Sequence, residues 1–191
     1  SSKFARGLLF VSIVGVGIFA CGGSAYVSVL ATSSGFSPVV AASYVSAIGI
    51  AMTIAKFCFG EIFDRIGVFV GSVIIFSCGI CGYALCCMAP LGNPYVVLVG
   101  VLLMGVGMVA GSLGISVWSI DLSTPETRAR QIRSFQMLYQ LGGFIANFAP
   151  GFVKDLTGSY VFAYAGFGLI ALITAIVILG YYRKYRMIKR A

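Results

Sequence analysis

Charged residues divide this chain into long uncharged runs, which cover residues 7–55, 66–120, 134–153 and 156–182. A helix needs about 20 apolar residues to cross a bilayer core of about 30 Å, so each of the first two runs can hold two helices. Turn-forming residues interrupt both runs, at 33–38 and at 89–94. The pattern predicts six membrane-spanning helices, near residues 7–31, 38–63, 68–89, 95–120, 133–153 and 160–182.

The composition supports this prediction. Apolar residues make up 60% of the chain and charged residues 9%, whereas about a quarter of a soluble domain is charged. A membrane β-barrel is excluded because its strands alternate in polarity over about ten residues, and the runs here are continuously apolar. The predicted fold is an all-α membrane protein of six transmembrane helices.

The basic residues predict the orientation. Lys154 falls on one predicted side of the membrane, and the opposite side collects the basic residues at the other helix ends: Lys3, Arg6, Arg65, Arg128, Arg130, Arg133, Arg183, Lys184, Arg186, Lys189 and Arg190. Basic residues near span ends stay in the cytoplasm. Both termini are therefore predicted to be cytoplasmic, with the protein in a bacterial inner (plasma) membrane. The long first span follows basic residues, which favours a retained anchor over a cleaved signal peptide.

The net charge of +8 is spread over span ends. This distribution favours the lipid bilayer and its anionic headgroups as partner, and no nucleic acid partner is expected.

A short pattern occurs twice. Residues 60–67 read GEIFDRIG, and 91 positions later residues 151–158 read GFVKDLTG. The first copy follows the second predicted span and the second copy follows the fifth, so the two copies face opposite sides. A chance match is the alternative, since the pattern fixes three positions. The interpretation preferred here is a 3+3 inverted repeat, with residues 1–91 and 92–182 as its halves and 183–191 as a basic cytoplasmic tail.

The first copy is a candidate gating loop. Gly60 and Gly67 are expected to permit close helix approach and a tight turn. Asp64 is expected to cap the next helix, and Arg65 to pair with a neighbour. The alternative is an ordinary turn between helices with no gating role.

The pattern Gly60-x-x-x-Asp64-Arg65-x-Gly67 resembles the loop signature of the major facilitator superfamily, in its carboxy-terminal half. The loop at 124–130, TPETRAR, is similar too. The resemblance implies a twelve-helix transporter in which the amino-terminal six-helix half, from the same longer chain or a separate chain, is the partner. Val68 and Phe69 depart from the basic residues usual after the second glycine, which weakens the electrostatic part of the loop's role.

Lys56 is the one charge well inside a predicted span. A charged side chain in hydrocarbon costs roughly 2.5–3.5 kcal/mol on insertion scales, so such residues mark transport pathways. At helical spacing it continues a small, polar stripe formed by Ala42, Ser46, Gly49 and Thr53. The alternatives are snorkelling of the long side chain to the interface and a salt bridge to Glu61.

The segment Lys56-Phe57-Cys58-Phe59-Gly60 resembles the Arg-Pro-x-x-Gly of the oxalate/formate antiporters and monocarboxylate transporters, where the cation binds a carboxylate. Lysine keeps the charge but loses the bidentate geometry of arginine. A second cation, present in the oxalate carriers, has no counterpart near Gly142. The resemblance therefore implies a small organic anion, a monocarboxylate rather than a dicarboxylate.

Uncharged polar residues complete the predicted substrate site, because polar groups in lipid favour a cavity or another helix. Hydrogen bonding between helices is the alternative role. The predicted substrate-binding set is Lys56, Thr53, Ser112, Ser116, Gln136, Tyr139 and Gln140.

The chain lacks residues that metal binding, catalysis and proton coupling commonly require. The chain has no histidine, and its six cysteines fall in predicted spans, so we expect no metal, no cofactor and no enzymatic activity. The acidic residues fall at span ends or in loops, which predicts exchange or facilitated movement without a buried proton carrier in this half. The alternative to transport is a structural or assembly membrane protein.

Overall fold

Residues 2–190 are described by a computed structural model, with side chains described for residues 3–185. The basic side chains expected at 186, 189 and 190 lie outside this range. The regular structure in the described part is helical, and its long elements are α1 (Ser2–Ser33), α2 (Pro38–Ile66), α3 (Val68–Cys86), α4 (Pro94–Gly107), α5 (Ile115–Asp121), α6 (Arg128–Thr157) and α7 (Val161–Arg190). A 3₁₀ turn, Ala89–Leu91, precedes α4, and a π turn, Ala110–Gly114, joins α4 to α5.

The predicted interruptions are where helices begin. Ser37 caps α2 by accepting a hydrogen bond from the Val40 amide at 3.3 Å, and Asn93 caps α4 by accepting one from the Tyr95 amide at 3.0 Å. Proline occupies the first position of both helices, where its missing N–H costs nothing. The breaks at 33–38 and 89–94 are thus confirmed.

Five helical segments in the described part are long and apolar enough to cross a bilayer: Lys3–Ser33, Pro38–Ile66, Val68–Cys86, Pro94–Asp121 and Val161–Tyr185. Helix α6 is also long, since its 30 residues rise about 45 Å. Its uncharged stretch at 134–153 carries Gln136, Gln140 and Asn147, and the helix is not among these five segments. Five of the six predicted spans therefore correspond to helices that could cross a bilayer by length and composition. Whether α6 also crosses has to be judged from its packing against the other helices.

Helices α1 and α6 run side by side in the same direction. Phe10 contacts Phe135 with ring centroids 6.2 Å apart, and further along both helices Tyr26 donates a hydrogen bond to the Asn147 carbonyl. Between these points the backbones touch, because a Cβ on Gly17 would clash with the Tyr139 carbonyl. Glycine at such crossings permits the close approach that holds helices together in lipid.

Glycines also mediate the other principal helix contacts. Gly79 on α3 meets Gly107 on α4, and Gly82 meets Met104, so these two helices run antiparallel. Helices α1 and α7 are likewise antiparallel, since Gly15 faces Thr174 and Gly22 faces Phe167. Helices α2 and α4 run parallel, with Gly105 against Ile48 and Ala51 and with Tyr44 donating to the Pro94 carbonyl at 3.0 Å.

Buried aromatic residues join α3 and α7 to α1. Tyr83 donates to the Phe19 carbonyl, and Tyr164 donates to the Gly23 carbonyl at 2.7 Å. Nearer the chain termini, Trp118 stacks on Phe76 at 5.5 Å and donates to the Ser72 hydroxyl at 2.8 Å. These contacts occupy the α3 and α7 side of α1. The opposite side of α1 faces α2, the π turn and α6.

The candidate gating loop differs from expectation at two residues. A Cβ on Gly60 would meet nothing within 4 Å, so the prediction that Gly60 permits close helix approach is wrong for this chain. Asp64 does not cap α3, because Gly67 holds the cap position and no side chain bonds there; Asp64 still belongs to the last turn of α2. Gly67 ends α2 at φ 89°, a conformation that favours glycine. Arg65 pairs with Glu61 at 2.5 Å on an exposed surface.

Gly142→Ala tests the α1–α6 contact. Its Cβ would clash with the Val14 carbonyl and lie 2.8 Å from the Gly17 Cα, and backbone cannot move aside as a flexible side chain can. Overpacking of this kind costs about 1–3 kcal/mol, so the unfolding temperature in detergent should fall. Gly180→Ala in α7 is the control, since its Cβ meets nothing within 4 Å. Equal unfolding temperatures for the two variants would contradict the described contact.

Candidate functional site

A cavity of about 730 Å³ lies between α1, α2, the end of α4 with its π turn, and α6. We call it the Lys56 cavity. None of the described side chains of α3 and α7 lines it. Its wall is formed by Ala20, Cys21, Ser24, Ala25, Val45, Ile48, Gly49, Met52, Lys56, Met108, Ser112, Tyr139, Gln140, Gly143, Phe144 and Asn147.

Four predicted site residues meet at one level of this cavity. Helix α2 runs toward the end of the bundle that carries the chain termini, and Lys56 is its lining residue nearest that end. Ser112, in the π turn after α4, is likewise the lining residue nearest that end. Helix α6 starts from that end, and Tyr139 and Gln140 are its first lining residues. These side chains therefore form the floor of the cavity, on the side of the termini.

Lys56 supplies the charge of the floor. Its side chain is exposed, and it forms no salt bridge among the described residues. The predicted alternative partner, Glu61, is paired with Arg65. No acidic side chain from the described part of the chain lines the cavity, so an anion would be the natural counter-charge for the ammonium group.

Tyr139 is held at the edge of the cavity. Its hydroxyl lies 3.4 Å from the Cys21 thiol, and a Cβ on Gly111 would lie 2.8 Å from the tyrosine ring. The three residues belong to α6, α1 and the π turn, so the hydroxyl is fixed where three elements converge. Sequence reasoning missed Cys21 as a lining residue, because a small half-polar residue in an apolar span does not indicate its helix face.

The π turn sets the position of Ser112. Such turns contain one extra residue and are frequent at functional sites. Ser112 donates to the Val109 carbonyl at 3.4 Å, and Ser116 donates to the Ser112 carbonyl at 3.3 Å. The backbone thus satisfies both hydroxyl protons, while Ser112 keeps its oxygen at the cavity wall.

Three predicted site residues do not line the cavity. Ser116 and Gln136 lie one turn beyond Ser112 and Gln140, toward the chain termini and past the floor. Thr53 is exposed and donates to the Gly49 carbonyl at 2.8 Å. The lining face of α2 is displaced from the predicted stripe, because Tyr44, Ile48 and Ala55 turn into the core.

The candidate gating loop also lies outside the cavity. Gly60, Asp64, Arg65 and Gly67 follow Lys56 along α2 and its turn, toward the end that carries the termini. The loop and the floor are therefore neighbours along one helix, at least one turn apart.

A second groove continues from the cavity in the opposite direction. It has a volume of about 450 Å³, lies between α1 and α2, and shares Val45 with the Lys56 cavity. Ser28, Thr32 and Pro38 line its far part. The two spaces therefore lie next to each other along α1 and α2.

The lining of the Lys56 cavity combines one charge with neutral polar groups and apolar surface. One ammonium, two carboxamides and hydroxyl groups line it, while Met52, Met108 and Phe144 provide apolar surface. Ligand sites combine mostly apolar walls with a few placed polar groups in this way, and commonly have volumes of about 300–1,000 Å³.

Comparison with known proteins identifies the family. The family model described as Major Facilitator Superfamily matches residues 1–147, which include every residue that lines the Lys56 cavity. No curated protein and no solved structure gives a significant match to the chain. With five apolar spanning helices and a family match over most of its length, the chain belongs to the Major Facilitator Superfamily and is an integral membrane protein of the secondary transporter class.

Proposed function

We propose that this chain forms the carboxy-terminal six-helix half of a transporter that moves a small monocarboxylate by alternating access, through exchange or facilitated movement. The observation that carries the proposal is the Lys56 ammonium at the floor of a cavity with neutral polar walls. Transport by Lys56 variants, described below, tests it.

The sixth span in this proposal is α6. It follows α1 in parallel from the Phe10–Phe135 contact to the Tyr26–Asn147 hydrogen bond. The shared stretch covers 16 residues of α1 and 12 residues of α6, which rise about 24 Å and about 18 Å, more than half of a hydrocarbon core of about 30 Å. A helix that accompanies a spanning helix over this length crosses with it. Its polar side chains are tolerated because Tyr139, Gln140 and Asn147 face the cavity.

The helix pairings support a 3+3 inverted repeat. Exchanging α1 with the α4–α5 span, α2 with α6, and α3 with α7 converts the parallel α1–α6 pair into the parallel α2–α4 pair. The same exchange converts the antiparallel α3–α4 pair into the antiparallel α1–α7 pair, and glycines mediate all four contacts. A pseudo-twofold axis in the membrane plane produces this equivalence.

Each copy of the repeated pattern ends its helix at a glycine with positive φ. Gly67 after α2 has φ 89° and ψ 158°, and Gly158 after α6 has φ 80° and ψ −1°. Equivalent helices thus stop at equivalent glycines, on opposite sides of the bundle. For the gating loop at Gly60–Gly67 we propose contact with the partner half, through the exposed Arg65 and Asp64.

The partner half follows from the exposure of the cavity. Lys56, Gln140 and Asn147 are exposed on one side of the bundle, and lipid there would leave a charge and two amides in hydrocarbon. A second six-helix half over this face would enclose a water-accessible site. Closure over an anion and reopening on the other side would then proceed by rocking of the halves, with both termini in the cytoplasm.

The charge balance favours a monocarboxylate. Lys56 is the single basic side chain among the described residues that line the cavity, and it matches one carboxylate. The resemblance of residues 56–60 to the oxalate/formate and monocarboxylate transporter signature supports the same class. The competing proposal is a structural or assembly protein. In that case, replacing Lys56 would weaken association with a partner and would leave transport unaffected.

Lys56→Gln removes the charge and retains a polar side chain. Uptake of labelled formate, acetate and lactate by the complete transporter in proteoliposomes should fall at least roughly tenfold, because a charge-assisted hydrogen bond contributes about 1.5–3 kcal/mol. Lys56→Arg should retain part of the uptake, and Lys154→Gln at the end of α6 should retain all of it. Undiminished uptake by a folded Lys56→Gln protein would refute the proposed role.

Cys21 reports on the cavity independently of the substrate. In a protein whose other cysteines are replaced by alanine, a negatively charged methanethiosulfonate reagent should modify Cys21 faster than a positively charged one, because Lys56 shares its cavity. Lys56→Gln should abolish this preference. Equal rates for both reagents at Cys21 would argue against a cationic cavity.

Coupling to protons can be tested with an imposed pH gradient. Glu61, Asp64, Asp121, Glu126 and Asp155 are all exposed, so this half offers no buried carboxyl group to carry a proton. Uptake should therefore change less than about twofold with the gradient. Uptake that follows the gradient, and still does so after the acidic residues of the other half are neutralised, would contradict exchange or facilitated movement.

A further inference from the structure

A second polar cavity lies where α1 begins and α7 ends. Its volume is about 490 Å³, and it shares no lining residue with the Lys56 cavity. Four parts of the chain form it: the start of α1, the loop between α5 and α6, the start of α6, and the end of α7. We call it the Arg6–Arg130 cavity after its two basic residues.

The two arginines come from different helices and are brought together by the α1–α6 contact. Arg6 lies one turn before Phe10, and Arg130 lies little more than one turn before Phe135, whose ring contacts that of Phe10. Neither arginine forms a salt bridge with a described residue, and no described acidic side chain lines the cavity. Two like charges facing one space favour an anion between them.

Neutral hydrogen-bonding groups complete the polar side. Gln131 and Ser134 line the cavity from α6, and Thr124 and Thr127 line it from the loop. The two threonine hydroxyls lie 2.9 Å apart, and the Thr127 hydroxyl accepts a hydrogen bond from the Thr124 amide at 3.1 Å. The loop that carries them is therefore locally ordered by its own hydrogen bonds.

The remaining wall is apolar or aromatic. It consists of Phe10, Leu122, Tyr181 and Tyr185. Tyrosines near the end of a spanning helix typically lie at the membrane interface. The cavity thus combines arginine and hydroxyl donors with an amphipathic wall at the level of lipid headgroups.

We propose that the Arg6–Arg130 cavity binds a phosphate group, either the headgroup phosphate of an anionic phospholipid or a free phosphate ion. Paired arginines suit phosphate because guanidinium groups donate parallel hydrogen bonds to its oxygens. Basic pockets between transmembrane helices bind anionic headgroups in this manner. The proposed site is independent of the transported substrate.

The experiment measures ligand-dependent unfolding temperatures of the complete, delipidated transporter in neutral detergent. Short-chain phosphatidylglycerol, short-chain phosphatidylcholine and inorganic phosphate are titrated separately. The test variant is Arg6→Gln/Arg130→Gln. The charge-matched control is Arg128→Gln/Arg133→Gln, because all four arginines are exposed but Arg128 and Arg133 do not line the cavity.

Phosphatidylglycerol should stabilise the wild type and the control alike, while the test variant should bind it roughly 25-fold more weakly, fivefold for each arginine. If inorganic phosphate then leaves the unfolding temperature unchanged, the ligand is a lipid. If inorganic phosphate raises the unfolding temperature with the same dependence on the variants, the ligand is a soluble phosphate. Either result supports the site.

The proposal would be overturned if none of the three compounds stabilised the protein. It would also be overturned if the control and the test variant lost binding equally, because equal loss indicates diffuse charge attraction. Should the double variant fail to fold, Arg6→Gln and Arg130→Gln are measured singly. Each is expected to weaken binding roughly fivefold, and unchanged affinity in both would also overturn the site.

Discussion

The backbone contact between Gly17 of α1 and Gly142 of α6 is the constraint on which the rest of this structure depends. In a bilayer, lipid tails are as apolar as the helix surface, so hydrophobic burial does little to hold helices together. Close packing must replace it. The absence of a Cβ at both positions lets the two backbones approach until carbonyl oxygens and Cα atoms touch. Helix α6, which carries Gln136, Gln140 and Asn147 within its uncharged stretch, is thereby fixed along α1.

Both cavities follow from that contact. It places Tyr139 beside Cys21 and sets Gln140 and Asn147 on the wall of the space that Lys56 also lines. Toward the termini, it brings Arg6 and Arg130 to the wall of a second space. Polar residues of α6 thus line spaces at two levels of one helix. In a membrane, polar groups need water, partner helices or ligands to offset their free-energy cost.

The sequence-based predictions succeeded where a local rule sufficed. Ser37, Pro38, Asn93 and Pro94 begin helices because capping and proline geometry act within a few residues. They failed where the outcome depended on neighbours distant in sequence. Thr53 belongs to the predicted stripe of α2 but lies outside the cavity, because the burial of Tyr44 and Ile48 fixes the rotation of that helix. Gly60 was expected at a close crossing, yet no described neighbour approaches it, and Asp64 does not cap α3.

The sequence by itself determined the class of protein, the breaks between helices, and the isolation of one lysine in an apolar span, because these depend on composition and local spacing. The tertiary structure alone decided which faces of α1, α2 and α6 meet. That choice made Cys21 a lining residue, left Gln136 and Ser116 past the floor of the Lys56 cavity, and joined Arg6 to Arg130. The physical reason is that helices in lipid pack through small residues and shape. The fit of two such surfaces is a property of the pair, which neither helix carries in its own sequence.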